Sequence, residues 1–191
     1  MLMSATNFGL HFLSFSKRSF KYYLANDELK LFLSIIFVVV LVSTLTLYMK
    51  EGFSVNDSIR YGFFQSISIV TTTGYTLEPL SGLGGSIGFL IFVLAFIGAC
   101  SGSVGGGMKV WRVLLMLKVG FSNITKIIHP SAISSVKLNG EKIVSSQIEA
   151  VFSFIAIYIS FFLLFMFILI FQNVDFYSAF SGTAAAINNL G

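Results

Sequence analysis

Three runs without a charged residue dominate this chain: Leu31–Tyr48, Leu80–Met108 and Ala150–Val174. As a helix, the 18 residues of the first run rise about 27 Å. That nearly spans a hydrocarbon core of about 30 Å. Apolar residues make up 55% of the 191 and charged residues only 10%, against roughly 25% in soluble domains. A chain of this length can bury a core but has too little polar surface to cover it. The expected class is an all-α integral membrane protein.

Short segments between the long runs sharpen this. After Lys50 and Glu51, Asp57 or Ser58 is the expected N-cap of a helix running to about Val70. Such a helix is roughly 20 Å long, too short to cross. Thr71-Thr72-Thr73-Gly74-Tyr75 follows at once. A Thr/Gly turn at membrane depth exposes carbonyls that lipid does not tolerate. Lining a pore, the same carbonyls replace the water shell of an alkali cation. The expected ligands of K⁺ are the carbonyls of Thr72, Thr73 and Gly74. Gly74 offers a backbone conformation closed to other residues, and the half-helix points the negative end of its dipole at the ion. The plain alternative is an ordinary Thr-rich loop.

The second half repeats the pattern. The uncharged run Ala150–Val174 is followed by Asp175, a short segment Phe176–Ile187, and the turn Asn188-Asn189-Leu190-Gly191. Phe63 precedes Gly74 by eleven residues, as Phe180 precedes Gly191. Small residues recur in both short segments (Gly62, Ser66, Ser68; Ala179, Gly182, Ala184) and permit close packing. By this register Asn188, Asn189, Leu190 and Gly191 form a second ion-binding turn; the alternative is a simple polar turn.

Between Gly98 and Gly107, five of ten residues are glycine. Each costs a helix about 1 kcal/mol against alanine, so a helix is interrupted here. Two readings stand: a loose loop at the membrane surface, or a broken helix whose irregular middle lies in a water-filled pathway. The helical pattern resumes from Met108 to about Val119. Gly102–Lys109 is not a phosphate-binding loop, because Met108 separates Gly107 from Lys109 and no Ser or Thr follows the lysine. Lys109 and Arg112 snorkel at the inner interface or, less simply, tune ions near the pathway. Phe121–Ser146, with His129-Pro130 and Asn139-Gly140 as turn signals, is a connector.

Ten of the twelve basic residues fall before the first run or after the glycine stretch; only Lys50 and Arg60 lie on the other side. The positive-inside rule then places the N-terminus and the Ser122–Ser146 connector in the cytoplasm. The net charge of +4 is thus accounted for by topology and not by nucleic acid. Met1–Phe20 lacks a basic region ahead of an apolar core, so no cleavable signal is evident. Cys100 is the single cysteine, which excludes an intrachain disulfide, and His11 and His129 stand far apart without clustered carboxylates. No nucleophile–base pair is recognisable, so catalysis and a resident cofactor are not expected.

Asn7–Leu13, Ser68–Tyr75, Gly102–Lys109, His129-Pro130 and Asn188–Gly191 together resemble the membrane subunit of the Trk/Ktr/HKT potassium transporter superfamily, the TrkH type in particular. The resemblance implies four helix–pore-helix–helix repeats around one K⁺ pore. Residues 1–28 would end one repeat and lead into the next, with 29–121 a third-type repeat, 122–146 a cytoplasmic connector and 147–191 part of a fourth-type repeat. Thr72, Thr73 and Gly74 carry over as one selectivity-filter turn, and Asn188, Asn189, Leu190 and Gly191 as another. Gly98, Ser101, Gly102, Ser103, Gly105, Gly106 and Gly107 carry over as an intramembrane gating loop. The resemblance also implies the remaining repeats, a homodimer, a cytosolic TrkA-type nucleotide-binding regulatory subunit and a cell inner membrane. Two other classes stay open: a non-transporting membrane scaffold, and a secondary transporter of another small solute.

Overall fold

The computed structural model describes residues 1–49, 51–77, 93–129 and 136–190. Lys50, Pro130, Gly191 and the first part of the uncharged run from Leu80 lie outside the described residues.

Three short helices open the chain: α1 (Leu2–Ala5), α2 (Phe8–Ser16) and α3 (Lys21–Ala25). The long helix α4 (Asp27–Met49) follows, then the short α5 (Val55–Val70). Beyond the glycine stretch come α6 (Val110–Ile128), a hairpin of β1 (Lys137–Leu138) and β2 (Glu141–Lys142), the long α7 (Ser145–Phe171) and the short α8 (Phe176–Asn188).

Helices α4 and α7 hold 23 and 27 residues, about 34 and 40 Å of helix, and both are apolar enough to cross a membrane. Only 28% and 17% of their most apolar windows are buried. A soluble core helix would be covered; here Leu33, Phe37, Val38 and Leu41 of α4 and Phe161, Leu164, Phe165 and Phe167 of α7 face outward. That is the surface lipid requires.

The short helices have 16 and 13 residues, about 24 and 20 Å, and fall short of a crossing. Helix α5 begins earlier than the sequence led us to expect. Ser54, extended at φ −61° and ψ 156°, is the N-cap, not Asp57 or Ser58. Its hydroxyl oxygen accepts from Asp57 N at 3.2 Å, and the same hydroxyl donates to Asp57 Oδ2 at 2.7 Å. Asp57 thus closes the first turn from within. Asp175 caps α8 alike, accepting from Ser178 N at 3.0 Å.

Each long helix packs on the short helix that follows it. Lipid removes the usual hydrophobic drive between helices, so close approach and buried polar contacts do the work. In the first pair Gly62 lies against the backbone of Thr44, leaving no room for a Cβ, and Ser66 Oγ donates to Ser43 Oγ at 3.1 Å. In the second pair Phe162 meets Phe180 edge-on at 5.4 Å, over buried Ala179 and Ala184.

Helix α6 joins the pairs, touching both α4 and α7. Arg112 stacks 3.9 Å over the Phe154 ring, and Lys118 bridges to Asp27 at 2.8 Å. The helix runs nine residues past Val119, where the sequence pattern weakens. Asn139 and Gly140, at φ 49° and 85°, turn the hairpin as tight two-residue turns require.

Candidate functional site

The end of α5 folds back on itself. Thr73 N and Gly74 N both donate to the Ser68 carbonyl, at 2.8 and 3.4 Å, and Thr72 N donates to Ile69 at 2.9 Å. Thr71 Oγ1 donates to the Ile67 carbonyl at 2.7 Å and bonds Thr73 Oγ1 at 2.8 Å. The donors of the turn are therefore satisfied inward. Among the described residues, no hydrogen bond reaches the carbonyls of Thr72, Thr73 or Gly74. Gly74 sits at φ 83°, as expected for glycine, and Thr72 sits at φ 56°. A left-handed β-branched residue is an outlier that its surroundings must enforce. The enforcing contact is visible: Thr72 Oγ1 accepts from Gly106 N at 2.6 Å.

The end of α8 makes the second turn. Asn189 is left-handed at φ 52°, a conformation asparagine tolerates. Leu190 N donates to the Ala185 carbonyl at 2.9 Å. Asn188 is fully buried, and its side chain is engaged within the protein: Nδ2 donates to the Ala184 carbonyl at 2.8 Å, and Oδ1 accepts from Tyr158 OH at 2.6 Å.

Both turns rest on the glycine stretch. A Cβ on Gly106 would collide with the Asn188 carbonyl, and one on Gly105 would press on Ala99 and the Thr71 carbonyl. Gly98 and Gly107, at φ 70° and 77°, press against each other at the neck, where Met108 N donates to Phe96 O at 2.9 Å and Val110 N to Ala99 O at 3.1 Å. The loop leaves and re-enters at one point, and only glycines fit there.

The rest of the loop is tied down. Cys100 N donates to Ala5 O at 3.0 Å, Val104 N to Ser4 O at 3.2 Å, and Phe8 N to Gly102 O at 3.0 Å. Ser103 Oγ donates to the Cys100 carbonyl at 2.5 Å. The stretch is not loose: it is a compact insert against both turns. Lys109 does not snorkel outward: its ammonium donates to the Ser103 carbonyl at 3.2 Å and to the Gly105 carbonyl. Carbonyls exposed by a broken helix attract the nearest cation, and here that is the chain's own.

Thr72, Gly105, Gly106, Asn188 and Asn189 thus meet at one place. Ser101 and Gly102 lie at the loop's far shoulder, against Glu28 and Asn7, and Gly191 lies outside the described residues. Glu28, which no motif in the sequence singles out, is 3% exposed and accepts from Ser101 N at 2.5 Å, Ser101 Oγ at 2.8 Å and Trp111 N at 3.0 Å. Its signal was an acid opening a membrane span, which reads first as a charge at a helix start.

Two capped half-helices, each behind a lipid-facing span and each ending on a shared irregular loop, define a membrane protein of the pore-loop class. The sequence matches the TrkH family, described as cation transport proteins, over residues 1–191, and the chain belongs to that family. It is 37% identical over 192 residues to the Trk system potassium uptake protein TrkH of Escherichia coli K12, covering all of this chain and 40% of that protein. The TrkH of Halomonas elongata is 34% identical over 191 residues, again with 40% of its length covered. The crystal structure of the potassium transporter TrkH from Vibrio parahaemolyticus superposes with a TM-score of 0.94 at 36% identity, covering all of this chain and 41% of that one. The chain therefore spans about two-fifths of the length of these relatives.

Proposed function

We propose that this chain supplies two of the four turns of a K⁺ uptake pathway. The observation that carries the reading is the pair of turns seated on one glycine loop, the first with three carbonyls that accept no hydrogen bond from the described residues. Thr72, Thr73 and Gly74 offer those carbonyls to K⁺. Asn188, Asn189, Leu190 and Gly191 contribute through their backbone, since the Asn188 amide is already engaged. Gly98, Ser101, Gly102, Ser103, Gly105, Gly106 and Gly107 form the gate below them. The relatives named as potassium uptake proteins support the choice of ion.

On this reading residues 29–121 are a complete repeat of helix, pore helix, turn and broken helix, and 147–191 belong to the next. The remaining turns come from the rest of the pore subunit. The subunit works as a homodimer in the cell inner membrane with a cytosolic nucleotide-binding regulator of TrkA type, and its N-terminal side faces the cytoplasm. The basic asymmetry supports that orientation.

The test is growth rescue. The complete gene product carrying this sequence, expressed in cells stripped of K⁺ uptake systems, is expected to restore growth at low external K⁺. Membrane-inserted protein that gives no rescue and no K⁺ flux would favour the scaffold reading.

A further inference from the structure

Asp27 and Glu28 stand side by side at the start of α4 and hold different parts of the molecule. Asp27 holds the hairpin. Its Oδ2 accepts from Lys118 Nζ at 2.8 Å and from Asn139 N at 3.3 Å, while its own N–H donates to Asn139 Oδ1 at 2.8 Å. Lys118 Nζ also donates to the Lys137 carbonyl at 2.8 Å. The hairpin turn is thereby fastened to the first turn of α4 and to the middle of α6.

Glu28 holds the loop. Its Oε1 accepts from Ser101 N and Trp111 N, and its Oε2 from Ser101 Oγ. Ser101 belongs to the glycine loop and Trp111 to the first turn of α6, so one carboxylate grips the loop and the helix that leaves it. Helix α6 needs this. Its N-cap, Lys109, has φ 76° and makes no side-chain cap bond; Val110 N donates to Ala99 O and Arg112 N to Lys109 O, which leaves Trp111 N as the donor of that turn with no backbone acceptor. Glu28 supplies the missing acceptor from another helix.

We propose that the Asp27–Glu28 pair couples the hairpin to the glycine loop. Glu28 is a positioning residue that holds the loop against both turns, and Asp27 ties its position to that of the hairpin. The two residues share one turn of a helix, which transmits displacement without bending. Pulling Asp27 with the hairpin drags Glu28 against three bonds. A buried carboxylate does not give up its donors cheaply. A ligand or protein that shifts the hairpin would therefore load the loop. The consequence for flux rests on the gate reading above; the coupling itself does not.

Cys100 reports on the loop, being buried within it. The experiment measures the alkylation rate of Cys100 by a maleimide in the complete protein in liposomes, read by peptide mass spectrometry, with K⁺ flux followed in parallel. Glu28→Gln is expected to speed labelling about tenfold, because charged hydrogen bonds are lost. Ser101→Ala, which leaves two backbone donors on the carboxylate, should speed it about threefold. Asn139→Ala, which removes the hairpin's acceptor for Asp27 N, and Asp27→Asn, which also weakens the Lys118 bridge to α6, should both speed it about threefold if the pair is coupled. Should Glu28→Gln aggregate, Ser101→Ala and Asn139→Ala decide the matter. Wild-type rates in both hairpin variants, beside a raised rate in Ser101→Ala or Glu28→Gln, would overturn the coupling. Wild-type rates throughout would overturn the clamp as well. Faster labelling with unchanged K⁺ flux would support the coupling and refute the gate.

Discussion

Helices α5 and α8 begin by the same device and end on the same loop, yet they are held differently in between. Helix α5 lies so close to α4 that Gly62 meets the Thr44 backbone, whereas a Cβ on Gly182 of α8 would meet nothing within 4 Å among the described residues. Thr72 and Asn189, matched in the register, are both left-handed, but Thr72 bonds the loop through its hydroxyl, while the second turn meets Gly106 through the carbonyl of the preceding residue, Asn188. Matching positions in a repeat therefore do not share a mechanical role. The first turn is locked by the loop, and the second is locked mainly by its own span, through Tyr158.

The largest effect should come from Gly106, where both turns meet. Gly106→Val has no space beside the Asn188 carbonyl and should cost about 3 kcal/mol or more as overpacking, with K⁺ uptake abolished. Thermal unfolding in detergent and flux in liposomes check it; a well-folded, transporting variant would mean that the turns do not share a seat.

Next comes the contrast between the glycines. Gly62→Ala should destabilise by about 1–3 kcal/mol, while Gly182→Ala should be neutral or stabilise by up to about 1 kcal/mol through helix propensity. Equal losses at both positions would erase the asymmetry. Tyr158→Phe removes one buried hydrogen bond from Asn188 and should cost about 1–2 kcal/mol. Its effect on uptake should be smaller than that of Thr72→Val, which leaves Gly106 N without its acceptor beside the first turn.

The caps give the smallest effect and one that pH can sort. Ser54→Ala should cost about 1 kcal/mol at neutral pH, through loss of the acceptor for Asp57 N. Hydrogen bonds from Ser178 hold the Asp175 carboxyl below its ordinary value. A lowered native pKa means that the Asp175 cap acts fully above the unfolded value of about 3.9 and fades as pH falls through the native one. The stability gap between wild type and Asp175→Ala should be open at neutral pH and close in acid. A gap that widened in acid would contradict the cap.

Hydropathy alone made α4 and α7 legible, and length alone marked α5 and α8 as half-helices. The glycine density of 98–107 announced an interruption. What sequence could not supply was direction. Ser54 was hidden by two equally good capping residues, Asp57 and Ser58, three and four positions on. Lys109 reads as an outward-reaching cation until the loop carbonyls that it satisfies are in view. Glu28 sits 73 residues from Ser101 and 83 from Trp111, a separation no local pattern encodes. The strain at Thr72 is likewise invisible without Gly106 beside it.

The claim that the first turn selects K⁺ through its backbone is tested most directly at Gly74, whose φ of 83° a β-branched side chain does not tolerate. The measurement is the ratio of K⁺ to Na⁺ uptake by the complete protein bearing Gly74→Val, beside wild type, in the same liposomes. A ratio collapsed toward unity, or K⁺ uptake lost outright from correctly inserted protein, is the expected result. An unchanged ratio at unchanged K⁺ uptake would contradict it.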